Sequence, residues 1–272
     1  MTYKLIALDL DGTLKSTNKQ ILPKTKMILQ DLARRGKIIV LASGRPTAGL
    51  YAEAEELELD KTGGYLLSFN GAKIVDYCTK EIIYQKVYDA KTAHNVYDRA
   101  KKYDLAVMTY SDELILTEDD NDEYVIIESE INHMPIKHID SFKEVVNFSV
   151  NKVLLTGNPD YAGRIVEEFK APYGDSLSIY RSAPFFIEVM AQGIDKAASL
   201  QALINYLGIN QDEVISFGDG YNDLTMIEFA GMGVAMANAV DEVKQRADYI
   251  TLSNDEEGIY ECLKMLERKG EI

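Results

Sequence analysis

Two carboxylates one residue apart, Asp9 and Asp11, close the apolar run Leu5-Ile6-Ala7-Leu8 within the segment Asp9-Leu10-Asp11-Gly12-Thr13-Leu14. A run of this kind reads as a strand of a parallel sheet, buried on both faces. Charge at the mouth of such a strand is costly unless a cation compensates it, and hard carboxylate oxygens suit Mg²⁺ better than Zn²⁺. The competing reading is a surface β-turn, because Asp-Gly is a common turn pair.

The arrangement recurs. A second apolar run over 37–42 ends at Ser43-Gly44-Arg45, and a third over 213–217 ends at Gly218-Asp219-Gly220-Tyr221-Asn222-Asp223. In an open α/β sheet the carboxyl ends of the strands line the ligand crevice, so these three loops are expected to meet although they lie far apart in the chain. A fourth piece, Asp195-Lys196, opens a stretch in which Leu200, Leu203, Ile204 and Leu207 keep the spacing of one buried helix face, with Asp195 as its N-cap.

The elements that must position these loops alternate at both ends of the chain. The spacing predicts helices over 23–35, closed by Gly36, and over 48–56, with strands over 65–69 and 73–75. From about residue 82 the rhythm changes: a helix over 91–102, strands over 105–110 and 113–117 joined by a Ser111-Asp112 turn, and an acidic stretch over 118–123 that is a solvated loop or a helix start. A strand over 152–156, a helix over 161–169 and strands over 176–181 and 185–190 complete an α+β module with antiparallel pieces. Alternation then resumes with a helix over 196–206, the strand before Asp219, a helix over 222–229, and strands over 233–236 and 249–251.

Composition narrows the classes of function. With 272 residues and 46% hydrophobic content the chain can bury a sizeable core. Its net charge of −15, without a basic block, argues against nucleic acid or an anionic membrane as partner. Asp9 and Asp11 interrupt the N-terminal apolar stretch too early for a signal peptide or a membrane span, so a cytoplasmic location is expected. Cys78 and Cys262 form no C-x-x-C pair, and His94, His133 and His138 lack the companions of a zinc site. No obligate protein partner is evident.

Taken in order, Asp9-Leu10-Asp11-Gly12-Thr13, Ser43-Gly44-Arg45-Pro46, Asn70-Gly71-Ala72, Lys196, Gly218-Asp219 with Asn222-Asp223, and Ala235-Met236-Ala237-Asn238-Ala239 resemble the haloacid dehalogenase-like (HAD) hydrolases. The match is to the Cof-type, YidA-like sugar phosphatases of subfamily IIB and runs almost end to end, with Ser182-Ala183-Pro184-Phe185-Phe186-Ile187-Glu188 similar to the segment that leads from cap to core. Two departures, Ala197 where glycine often follows the lysine and Gly220-Tyr221 at variable positions, remove no charged group.

The resemblance implies a doubly wound, Rossmann-like parallel core in two parts, 1–81 and 187–272, with an inserted C2B-type α+β cap over 82–186. It implies Asp9 as nucleophile forming an aspartyl phosphate, Asp11 as general acid and base, and Mg²⁺ held by Asp9, the Asp11 carbonyl and Asp219. Ser43, the Gly44 and Leu10 amides, Lys196 and Asn222 would bind the phosphoryl oxygens, with Lys196 near a helix N-terminus where anions are favoured. Asp223 would orient Lys196 or support the metal, and Arg45 would pair with substrate, fix its loop or form a structural salt bridge. Asn70 and Asn238 are open between ligand contact and satisfied loop amides. The cap would close over the crevice, exclude bulk water and favour compact substrates.

The function implied is a Mg²⁺-dependent phosphatase of small phosphorylated metabolites, sugar phosphates first. A phosphomutase-like phosphoryl transferase and a non-catalytic regulatory protein that kept the fold are the alternatives. The four charged residues Asp9, Asp11, Lys196 and Asp219 argue against the last. A dehalogenase is disfavoured because its reaction needs neither a metal site nor a second acid.

Overall fold

The structure, a computed structural model, describes residues 2–111 and 113–272. Strands β1 (Leu5–Asp9), β2 (Ile38–Ala42), β3 (Tyr65–Ser68), β4 (Lys73–Asp76) and β5 (Ile82–Gln85) come first. Then follow β6 (Ala106–Ser111), β7 (Leu114–Thr117), β8 (Ile136–His138), β9 (Lys152–Thr156), β10 (Leu177–Ala183) and β11 (Phe186–Ala191), and last β12 (Val214–Gly218), β13 (Met232–Ala235) and β14 (Tyr249–Ile250). The chain divides into two compact units, one of residues 1–84 with 195–272, the other of residues 85–194.

Among the described residues, the discontinuous unit is built on an eight-stranded sheet in the order β14-β13-β12-β1-β2-β3-β4-β5. Neighbours from β14 through to β3 run parallel, and β4 returns antiparallel to β3. Side chains alternate between the faces of a strand. Ile6 and Leu8 therefore join Leu29 and Leu32 of the helix Pro23–Arg34 and Leu263 and Leu266 of the helix Gly258–Lys269. Leu5 and Ala7 pack on the other face with Leu200, Leu203 and Ile204 of the helix Lys196–Leu207. Each buried Leu or Ile is worth about 1.5–3 kcal/mol, so both faces need a helical cover and the strands read as unbroken apolar runs.

The continuous unit holds a six-stranded sheet in the order β10-β11-β9-β6-β7-β8, antiparallel except for the β7–β8 pair. Val107, Leu116, Val153, Leu155, Ile187 and Val189 face Val96 and Ala100 of the helix Ala90–Lys102 and Ile165 and Phe169 of the helix Pro159–Lys170. Side-chain caps start four of its helices: Asp89 accepts from the Thr92 amide, Asp122 from Tyr124 and Val125, Ser141 from Glu144, and Asn158 from Asp160 and Tyr161. The acidic stretch 118–123 is a loop, with a turn at 120–121, that ends at Asp122, the N-cap of the helix Glu123–Asn132.

Several expectations shift. The insert is expected over 82–186, but β5 joins the first sheet and β11 pairs with β9 and β10, so the compact unit runs over residues 85–194. The helix expected from residue 222 begins at Leu224, after a tight turn over Tyr221–Asp223 that turns the Asp223 carboxylate back on its own loop. The helices Phe142–Val145, Asp241–Arg246 and Gly258–Lys269 and the strand β8 extend the expected set. Of the turn expected at Ser111-Asp112, Asp112 lies outside the described residues. No described helix is long and apolar enough to cross a membrane.

Candidate active site

Parallel register puts Asp9, the last residue of β1, beside Ala42 at the end of β2, while Phe217 of β12 lies beside Leu8. The loops after β1, β2 and β12 therefore leave the same edge of the sheet. Lys196 is the first residue of the helix Lys196–Leu207, whose N-cap Asp195 accepts from the Ala198 amide at 2.8 Å. Its ammonium donates to Asp9 Oδ1 and Asp223 Oδ1, each at 2.6 Å, and to the Ala42 carbonyl at 3.0 Å. All three N–H bonds of this buried lysine are used.

Asp223, also fully buried, accepts on its other oxygen from the amides of Asp219 and Gly220, at 3.0 and 2.9 Å. Asp219 Oδ1 accepts from Thr13 at 2.6 Å. One oxygen each of Asp9, Asp219 and Asp223 lies within 4.8 Å of the others. Backbone choices make this approach possible: Gly12 has φ +92°, and a Cβ there would stand 2.4 Å from Asp219 Oδ2.

The electrostatics follow from three acids sharing one ammonium in a dry place. Burial, and after it the charge of Asp223, pushes the Asp9 carboxyl well above the ordinary carboxylate range, with Lys196 opposing. Asp219 is pushed up to about 6, chiefly by burial and against the hydrogen bond from Thr13. For Lys196 burial works against the charge, but Asp223 and Asp9 outweigh it and hold its pKa above the usual lysine value. Three carboxylates and one ammonium leave two negative charges uncompensated. Asp223 already accepts on both oxygens, so Asp9 and Asp219 are the pair whose hard donors fit a divalent cation such as Mg²⁺.

The remaining expected residues take up distinct places. Leu10 is buried and its carbonyl accepts the Lys15 amide at 2.9 Å. Ser43 Oγ accepts from the Arg45 amide at 3.2 Å, and a Cβ on Gly44 would lie 3.0 Å from Asn70 Oδ1. Asn222 donates to that same Asn70 oxygen at 3.4 Å. Arg45 makes a two-pronged ion pair with Asp11, each contact 2.8 Å. Asn238 is a loop brace: its amide donates to the Gly12 carbonyl at 2.8 Å, and its oxygen accepts from the Asn254 amide at 3.1 Å.

The sequence assigns no individual role to Thr13; a hydroxyl directly after the glycine of an acidic motif is the local signal that points to it. Nor does the sequence mark the buried pair Lys15–Glu53, which ties the loop after β1 to the helix Tyr51–Glu56. Nothing in their local spacing announces that partnership.

The chain belongs to the haloacid dehalogenase-like hydrolases, whose family model matches residues 6–263, and it is a phosphatase of that family. It is 31% identical over 274 residues to the 5-amino-6-(5-phospho-D-ribitylamino)uracil phosphatase YitU of Bacillus subtilis (strain 168), covering 96% of each chain. Among solved structures, a haloacid dehalogenase-like hydrolase from Bacteroides thetaiotaomicron superposes with a TM-score of 0.94 at 41% identity, over 97% of this chain and 100% of that one. The subclass IIB sugar phosphatase BT4131 superposes with a TM-score of 0.74 at 25% identity, over 99% and 100%.

Proposed function

We propose that the chain is a Mg²⁺-dependent phosphatase of small phosphorylated metabolites, sugar phosphates foremost, acting through an aspartyl phosphate on Asp9. The observation that carries the reading is the buried Asp9–Lys196–Asp223 chain with Asp219 alongside, an acid held by one cation and short of another. The similarity to a sugar phosphatase and to a phosphoribityl-group phosphatase supports the substrate class.

Asp9 attacks phosphorus, the bond to the ester oxygen breaks, and Asp11 protonates the departing alkoxide. Asp11 then takes a proton from the water that attacks the aspartyl phosphate, which returns Asp9 and releases inorganic phosphate. Ser43, Asn222 and the Gly44 and Leu10 amides receive the phosphoryl oxygens, while Lys196, whose three N–H bonds go to Asp9, Asp223 and the Ala42 carbonyl, contributes its positive charge beside them and Asp223 holds it in place. Mg²⁺ bound at Asp9, the Asp11 carbonyl and Asp219 would neutralise phosphoryl charge and orient the group for in-line attack. The inserted unit, residues 85–194, is assigned the choice of leaving group.

Phosphate release is measured across sugar phosphates, nucleotides and phosphorylated cofactors, before and after chelation. Turnover should vanish in chelator, return with Mg²⁺, and be highest on a compact sugar phosphate. Asp9→Asn should abolish it on every substrate. Full turnover in chelator would sink the metal assignment, and a covalent phosphate on the Asp9→Asn protein would sink the nucleophile.

A further inference from the structure

Arg45 approaches Asp11 as a fork, with Nε donating to Oδ2 and Nη2 to Oδ1, both at 2.8 Å. The planar guanidinium matches a carboxylate in this geometry, so the pair fixes the plane of the carboxylate and not merely its position. The side chain of Arg45 is 11% exposed and that of Asp11 37%, while Lys19 touches the same carboxylate at 3.5 Å from an exposed position. The backbone that carries the fork is itself held. The Arg45 amide donates to Ser43 Oγ at 3.2 Å, and its carbonyl accepts the Phe69 amide at 2.9 Å. Phe69 and Asn70 take left-handed conformations, φ 52° and 54°, to make that turn.

From this geometry we infer that Arg45 is a positioning residue for proton transfer: it sets the orientation of the Asp11 carboxyl toward the leaving-group oxygen instead of binding the phosphoryl group. The inference rests on Asp11 being the proton donor and acceptor. Each carboxylate oxygen has two lone pairs and the fork engages one on each; Lys19 lies beside Oδ1, so Oδ2 is the oxygen that keeps a position from which a proton can be passed. A displacement of about 1 Å in such a group costs about 10²-fold in rate, which is the size of effect an orienting residue can have.

The test compares two leaving groups. Loss of an alkoxide from a hexose phosphate needs protonation, whereas the phenolate of p-nitrophenyl phosphate is stable enough to leave without it. Arg45→Met should lower kcat/KM about 10²-fold on the hexose phosphate and only a few-fold on p-nitrophenyl phosphate, with KM little changed on either. Arg45→Lys, which offers a single point of contact, should fall between wild type and Arg45→Met with the same leaving-group bias, and it carries the test if Arg45→Met does not fold. Asp11→Asn is the companion, with the same bias at greater size. Equal losses on both substrates for the Arg45 variants, beside a biased Asp11→Asn, overturn the positioning role alone. Equal losses for Asp11→Asn as well overturn the proton-transfer role of Asp11 and the inference with it.

Discussion

Lys196 stands where water cannot solvate it, and its charge persists because two carboxylates lie at 2.6 Å. Without a metal, the neighbouring Asp219 and Asp9 are the acids left over, and their raised pKa values fix the sign of a pH effect. An acid whose native pKa exceeds its unfolded value, about 4, binds its proton more firmly in the folded protein. The native state is favoured below that value and loses the advantage as pH climbs to about 6, where Asp219 titrates. In chelator, therefore, stability should drop between about pH 4 and pH 6, with Asp219 contributing about 1–2 kcal/mol after allowance for its partial exposure. Asp219→Asn should flatten that part of the profile, read as urea midpoints, and saturating Mg²⁺ should abolish it. A wild-type profile that rises with pH over this window, with Asp219→Asn unchanged from it, would show that the acid cluster is not under strain.

The turn Phe69–Gly71 supports the start of the lysine-bearing helix from below. Gly71 has φ +103°, and a Cβ there would stand 2.4 Å from the Asp195 carbonyl at the N-cap. Gly71→Ala should cost about 2–3 kcal/mol through the left-handed backbone and the displaced cap, and should lower turnover on all substrates alike because Lys196 moves with its helix. Thermal unfolding and a substrate panel check both parts; a neutral variant would mean the helix start does not depend on the turn. The strand ends that carry Asp9 and Asp219 were legible because unbroken apolar runs must be buried on two faces, and the polar residue that ends them stands out. The helix Gly258–Lys269 is legible too, with Ile259, Cys262, Leu263 and Leu266 at helical spacing. Strand β8 is not: Lys137 and His138 are exposed on a three-residue edge, which leaves no alternation to detect. The Arg45–Asp11 fork is a pairing across 34 positions, and one sequence holds no trace of which oxygen a guanidinium will choose.

Among the described residues, three large hydrophobic clusters each lie within one unit: the apolar faces around β1 belong to residues outside the insert, and the cluster around Phe169 is drawn from Tyr88 to Ile194. Phe169→Ala should therefore destabilise the insert by about 3–5 kcal/mol while amides of β1 and β12 keep their hydrogen-exchange protection. Equal loss of protection in both units would show that they unfold as one. The discontinuity also sets a timetable for synthesis. Strand β1 is made first, but its neighbour β12 pairs Phe217 with Leu8, so roughly two hundred residues must be added before that flank is covered. At about 5–20 residues per second the ribosome leaves β1 as an apolar edge strand for roughly ten to forty seconds. Meanwhile the insert, continuous in sequence, emerges whole and can fold while the first sheet still waits. The nascent chain is thus most exposed to aggregation and most in need of a chaperone just before β12 arrives, when a finished insert hangs from an unfinished core.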